Sequence, residues 1–475
     1  MRRVLLFFYL LLITAGCTAL TPHPVPNPRT MTFPELRFRI PQSERVVLEC
    51  GMPVYLLQDS ELPIINVTAM VRVGSVYEPA AQSGLAGMVG ALMRSGGAGG
   101  MTSEKMDDEL EFMASSVESS IGSDMGTVSL ATLAKNFNHT LQIFSDVLLR
   151  PDFSEKRIDI ARKHAIEGLR RQNDDPKEIA GREITRAIYA GHPLGAVPTF
   201  ESISSINRRD MIDFHQRFYR LDNMILAVSG DFDKTDLLKI LNKVFAPSAK
   251  ISPLALPNIP QPEQLFEGEV IYGKKDVNQS VIRMGHLGLS KDSPDIYAVR
   301  ILDYVLGGSF TSRLTMEIRT NQGLAYSVGS HFDIGRRFSG SFIAETETKA
   351  ESTARVIGLM KEIIGGITKE PISDQELSAA REYIINSFMF GFTSPAVIVT
   401  QRARLEYYGY PDGYLEQYRD NIAKVTKTDI LDAARKYLHQ DAFKLVVIGD
   451  AAKFDQPLAT LGKVRELDLK LNIPK

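Results

Sequence analysis

Cysteine is nearly absent. The 475 residues contain two, Cys17 and Cys50, so no disulfide framework holds the fold, and if Cys17 is modified Cys50 has no intramolecular partner. A formal net charge of −2 leaves no basic excess of the kind that binds nucleic acid. The apolar run Val4 to Ile13, ten residues, is too short to span a bilayer. Histidine is scarce and scattered: the eight are His23, His139, His164, His192, His215, His286, His331 and His439, with no His-x-x-x-His and no His-x-x-Glu-His. G-x-S-x-G, the P-loop and G-x-G-x-x-G are missing too. These absences exclude a two-histidine metal helix, a nucleophile elbow and a phosphate-cradling loop.

The N-terminus carries an address. Met1-Arg-Arg3 and the apolar run after it read as a secretion signal, residues 1–16. Thr14-Ala-Gly-Cys17 has the small-residue pattern of a bacterial lipoprotein box, in which the cysteine is lipidated and becomes the mature N-terminus. An ordinary signal peptide with an incidental cysteine is the alternative. Removing residues 1–16 takes away two arginines and no acid, so the mature charge is −4. Residues 17–43, with the run Pro22-His-Pro-Val-Pro-Asn-Pro28, read as an extended tether between lipid and domain. Thr18 is not an aspartate-type retention signal, and by resemblance to other lipoproteins the expected location is the cell envelope, at the outer membrane facing the periplasm.

The remainder is globular. With 44% hydrophobic and 24% charged residues, more than 400 residues beyond the tether are enough for two substantial cores. Pro247, Pro253, Pro257, Pro260 and Pro262 leave little room for helix or central strand, so residues 246–264 read as a linker between domains at 44–245 and 265–475. The two halves are related. Asp210 to Phe218 matches Asp429 to Tyr437, and Ile225-Leu-Ala-Val-Ser-Gly-Asp231 matches Lys444-Leu-Val-Val-Ile-Gly-Asp450, both at an offset of 219. Each half opens with β-patterned segments: Val46 to Leu57 and Ile64 to Val73, then Glu269 to Tyr272 and Gln279 to Leu287. Each continues through helices and ends helix, strand, Gly-Asp. That order predicts an α+β fold, helices packed on one face of a largely antiparallel sheet, made twice.

One helix has an intact apolar face and an emptied opposite face. Leu85, Met88, Val89, Leu92 and Met93 form one stripe of a 3.6-residue period, while the other face holds Gly87, Gly90, Ala91 and Arg94. Two internal glycines cost a helix about 1 kcal/mol each, so something other than propensity favours small side chains there. At an offset of 213 the stripe meets Ala298, Ile301, Leu302, Val305 and Leu306, and the counterpart face holds Arg300, Asp303 and Tyr304.

With the strand-like run before it, Gly74-Ser-Val-Tyr-Glu-Pro79 and Ser83-Gly-Leu-Ala86, this helix resembles that of the pitrilysin/insulinase zinc metallopeptidases, the inverzincins. Arg150-Pro-Asp-Phe153, Arg171 to Pro176, His192-Pro-Leu-Gly195 and Tyr219 to Asn223 resemble further landmarks of the family. The resemblance implies two homologous domains facing each other across a cleft, and a zinc-binding His-x-x-Glu-His at positions that are Gly87, Gly90 and Ala91 here. Glu167, eighty residues beyond Gly87, stands near the position of the third ligand. His164, one turn earlier, shares a helix with it, and a solvated helix face is the plainer account of the pair. A catalytic zinc needs three protein ligands and a water, so no zinc is expected in this chain. Close packing is the favoured account of the three small residues.

The second half keeps a pair that the resemblance makes functional. Thr311 to Thr320 reads as a short helix with Gly323 as its C-cap, followed by a strand from Leu324. Arg319 and Tyr326, seven residues apart, match an arginine and tyrosine that reach a bound peptide across the cleft in the family. A guanidinium and a phenol donate hydrogen bonds to a peptide carbonyl and to the oxyanion it becomes; a helix-end arginine and a buried tyrosine kept for structure are the alternative. Val117 to Ile121 is the segment nearest the edge at which substrate joins the sheet as a strand. The combination is similar to the non-catalytic subunit of two-chain members such as mitochondrial processing peptidase. It implies a heterodimer with a zinc-carrying, His-x-x-Glu-His-bearing subunit and an unfolded peptide as substrate. A peptide-binding or scaffold protein without proteolytic role remains the alternative.

Overall fold

The computed structural model describes Met31, residues 38–246 and residues 254–470. The signal segment, Cys17 and most of the tether lie outside the described residues. The first half contains β1 Glu44–Val47, β2 Pro53–Gln58, β3 Ile64–Val71, α1 Leu85–Ser95, α2 Ser103–Phe112, β4 Ser116–Ile121 and β5 Gly126–Leu133. It continues through α3 Phe137–Leu149, α4 Glu155–Arg171, α5 Pro176–Ile188, α6 Phe200–Ser205, α7 Arg208–Phe218, β6 Met224–Gly230 and α8 Lys234–Val244. The segment read as one strand from Val46 to Leu57 is two, because Gly51 takes φ +87° and turns the chain back on itself.

The second half repeats the order. It has β7 Glu269–Lys274, β8 Gln279–Leu287, α9 Ile296–Leu306, a π-helical turn Thr315–Asn321, β9 Ala325–Phe332 and β10 Ser341–Lys349. After them come α10 Thr353–Gly366, α11 Asp374–Ser387, α12 Pro395–Tyr408, α13 Tyr414–Lys424, α14 Lys427–Tyr437, β11 Lys444–Gly449 and β12 Val464–Glu466. The strand orders are β1-β2-β6-β3-β5-β4 and β12-β7-β11-β8-β10-β9. Pairing is antiparallel except between β2 and β6, and where β7 meets β11 and β12. The expected α+β class, made twice, holds. β4 and β9 are edge strands at equivalent ends.

Every residue of β6 and of β11 is buried, which requires cover on both faces of each sheet. One face packs on the half's own helices. On the other face each sheet carries one helix from the opposite half. Ile179, Ile184 and Ile188 of α5 pack on Ile271, Val281, Val446 and Ile448 of the second sheet. Val399, Ala403 and Tyr407 of α12 pack on Met70, Ile225 and Ala227 of the first. These helices are repeat counterparts at the offset of 219. Both start alike, Asp175 and Ser394 accepting first-turn backbone hydrogen bonds ahead of Pro176 and Pro395. Polar contacts follow the exchange. Tyr407 Oη donates to the Asp124 carbonyl at 2.7 Å, and Lys177 pairs with Glu347 at 2.7 Å. From Ile40 onward the chain packs as one unit.

Candidate functional site

All five stripe residues of α1 are buried. The helix starts at Gly84, φ +103°, where the Glu78 carboxylate accepts from the backbone N–H of Gly84 at 3.0 Å and of Ala86 at 2.5 Å. A carboxylate there satisfies orphan donors and complements the helix dipole. Burial nevertheless pushes its pKa above the ordinary carboxylate value, against the two donors.

The three small residues of α1 have two different explanations. A Cβ at Gly90 would lie 2.5 Å from the Ile121 backbone nitrogen, and Ser119 Oγ donates to the Gly90 carbonyl at 2.6 Å. Edge strand β4 thus lies directly on the helix, and close packing accounts for Gly90. A Cβ at Gly87 would meet nothing within 4 Å. Gly87 and Ala91 are exposed and line a groove of about 650 Å³ between α1 and α4.

The opposite wall is Ile160, Ala161, His164, Ala165 and Gly168, at helical spacing. Two polar side chains of the groove bond to the chain itself: Ser95 Oγ donates to the Ala91 carbonyl at 2.7 Å, and Arg157 Nε donates to Ser103 Oγ at 2.8 Å. Glu167 does not line the groove; it is exposed and ion-paired with Arg170. Of the pair His164 and Glu167, only His164 lines the groove. Each helical residue turns about 100° from the last, and Gly168, one residue after Glu167, lines the groove. Leu169 and Pro198 also belong to a crevice of about 550 Å³ between the halves, lined on its far side by residues 467–470.

In the second half the corresponding helix face is filled. Asp303 Oδ1 accepts from the Phe332 backbone N–H at 2.9 Å, and burial pushes the Asp303 pKa up to about 7.

Arg319 and Tyr326 come together. The Arg319 guanidinium carbon lies 5.3 Å from the Tyr326 ring centre and 5.5 Å from that of Phe310. The expected short helix over Thr311 to Thr320 forms from Arg313 onward, but Thr315–Asn321 wind as π-helix, an irregularity that recurs at functional sites. Gly323, φ +63°, ends the turn as expected. In β9 the register shifts, so that Tyr326 and Ser327 together oppose the single Glu347 of β10. A bulge of this kind re-aims side chains, and Tyr326 is 86% exposed. Thr346 Oγ1 donates to the Ser327 carbonyl at 2.8 Å, and Thr348 Oγ1 to that of Leu324 at 2.7 Å, pinning the bulge. Glu317, the acid of the π-helical turn, accepts instead from Asn321 and Gln322 at 2.8 and 2.7 Å. Among the described residues none pairs with Arg319 or accepts a hydrogen bond from it. A half-buried guanidinium is left with its donors free beside two exposed rings.

Residues 54–198 match the family described as Insulinase (Peptidase family M16), and residues 205–384 match the Peptidase M16 inactive domain. The chain belongs to the M16 family. It is 23% identical over 416 residues to the non-peptidase homolog YmxG of Helicobacter pylori, spanning 85% of this chain and 93% of that protein. It is 25% identical over 304 residues to an uncharacterized zinc protease of Mycobacterium leprae, spanning 63% of this chain and 68% of that one. A crystal structure of a peptidase M16 inactive domain from Pseudomonas fluorescens aligns with a TM-score of 0.78 at 24% identity, over 86% of this chain and 98% of that one. That likeness is one of fold.

In this M16 chain the residues present do not fit a catalytic zinc. Gly87, Gly90 and Ala91 have no donor atoms, and Glu167 faces away from the groove. Among the described residues no three of His, Cys, Asp and Glu gather in a metal-binding group. Water activation depends on a held metal charge, and these side chains supply no cage for one. Sequence reasoning did not find Gly168 or Phe310. The helical spacing from His164 points to the first; no signal in the chain points to the second.

Proposed function

We propose that this M16 chain is the non-catalytic member of a two-chain envelope peptidase. Its Arg319 and Tyr326 are the groups it contributes to a cleft completed by a homologous, zinc-carrying His-x-x-Glu-His subunit. The observation that carries the reading is the unpaired guanidinium of Arg319 beside exposed Tyr326, displayed by a π-helical turn and a β-bulge. Leaving donors unpaired has no benefit for the fold. Such donors suit a peptide carbonyl whose oxygen gains charge during hydrolysis. The donor-less face of α1 supports assigning the metal to the partner. Lipidation of Cys17 is the proposed anchor, holding the pair at the outer membrane on its periplasmic side.

The test is to tag the C-terminus, purify the chain gently from its own envelope and identify stoichiometric partners by mass spectrometry. A co-purifying His-x-x-Glu-His chain is expected. In the reconstituted pair, Arg319→Ala with Tyr326→Ala should lower kcat/KM by about 100-fold or more, the scale of a lost oxyanion donor. Peptidase activity untouched by the double substitution would sink the shared-cleft mechanism. A partner that is no peptidase would leave a peptide-binding or scaffold role.

A further inference from the structure

Phe310 is 80% exposed, yet its loop is firmly placed. A Cβ at Gly307 would lie 2.1 Å from the Ser330 backbone nitrogen, so the loop's start is packed directly on β9. The Ser312 N–H donates to the Ser309 carbonyl at 3.1 Å, closing the turn that carries Phe310. The chain therefore holds a large apolar ring in water, 5.5 Å from the free guanidinium of Arg319. Burial of the ring does not explain this placement. A ring beside a cation restricts the cation through its quadrupole and leaves apolar surface open to a ligand.

We propose that Phe310 is a positioning and specificity residue of the peptide contact. Its ring holds the Arg319 guanidinium for a carbonyl, and its exposed surface takes a bulky apolar side chain next to that carbonyl. The inference rests on the peptide-binding reading above and adds the class of peptide: extended segments carrying an aromatic or large aliphatic residue. Tyr326, on the other neighbour of Arg319, keeps its hydroxyl for the backbone.

Fluorescence anisotropy on the full chain tests this with two labelled, unfolded Gly/Ser peptides of equal length and charge. One carries a central Phe and the other Ala. The chain should bind the Phe peptide about tenfold more tightly, the scale on which apolar contacts discriminate. Phe310→Ala should erase that ratio and also weaken the Ala peptide, though less than Arg319→Ala does, because Arg319 loses the ring that holds it; Phe310→Leu should retain part of the ratio. Arg319→Ala should weaken both peptides. Phe112→Ala, removing an exposed phenylalanine on α2, should change neither. A ratio that survives Phe310→Ala, or equal weakening of both peptides by it, overturns the specificity role. If Arg319→Ala leaves both affinities intact, the peptide-binding reading fails whatever Phe310 does. A chain that binds neither peptide overturns both.

Discussion

The rings of Tyr304 and Tyr383 lie with centres 4.8 Å apart, tilted 35° to each other, and their repeat counterparts in the first half are Ala91 and His164. One place in the fold is thus closed by two aromatic side chains in one half and open as a groove in the other. Ala91→Tyr combined with His164→Tyr should close it. An aromatic pair adds about 0.5–1.5 kcal/mol beyond its burial, and in a chain this long the melting temperature should rise by about 1–2 °C. Fluorescence of an apolar dye bound to the groove should fall with the same substitutions. A lower melting temperature would show that the two positions are not equivalent.

Gly87 and Gly90 should respond oppositely to the same change. At Gly87 a methyl group enters open space, so Gly87→Ala should stabilise by about 0.5–1 kcal/mol through helix propensity. At Gly90 the methyl meets the Ile121 backbone, and Gly90→Ala should destabilise by about 1–3 kcal/mol as β4 is displaced. Urea denaturation of the two variants gives both signs. Two changes of the same sign would contradict the packing of β4 on α1.

Ile184 ties the halves together. It is fully buried between α5 and the second sheet, so Ile184→Ala should destabilise by about 2–5 kcal/mol. The loss should be felt in both halves, because α5 belongs to one and covers the other. Hydrogen exchange should show faster opening of β8 and β11 as well as of α5. Protection unchanged in the second sheet would contradict the exchange of helices.

His286 should make stability fall in mild acid. Its Nδ1 lies 2.8 Å from the Leu287 carbonyl and its Nε2 accepts from the His439 backbone N–H at 3.1 Å, an arrangement that needs the neutral ring. Burial holds its pKa, like that of His215, down to about 4, against 6.5 unperturbed. Stability from each histidine is fully present above pH 6.5 and is lost as pH falls towards 4, by up to about 1.4 kcal/mol per pH unit. Asp303, raised to about 7, works the other way: its contribution is fully present below its unfolded value of 3.8 and is lost as pH rises through 7. His286→Gln should therefore remove one proton's worth of the dependence between pH 4.5 and 6. Denaturant midpoints at intervals across that range measure it, and an unchanged slope would show that His286 is not held neutral.

Much of the fold was legible in the chain itself. The offset of 219 between Asp210 and Asp429 announces the duplication, and alternation over Gln279 to Leu287 marks β8 with its observed bounds. The misreadings lie where local signals are silent. A helical pattern over Thr311 to Thr320 does not distinguish α from π winding, and the π-helical residues begin at Thr315, whose Oγ1 donates to the Val328 carbonyl of β9. Glu167 was named by its distance along the sequence, whereas a one-residue change of phase turns a helical side chain away from its groove.

The sequence alone determined which atoms exist at the site. Gly87, Gly90 and Ala91 carry no metal donors in any conformation, and Arg319 with Tyr326 carries hydrogen-bond donors in every one. Tertiary structure decided what those atoms meet. That Gly90 supports β4 while Gly87 opens a groove, that α5 and α12 change places, and that Phe310 lies beside an unpaired Arg319 all depend on contacts between residues distant in sequence. Such contacts arise from packing the whole chain, because periodicity says which side of an element is apolar and not which element will cover it.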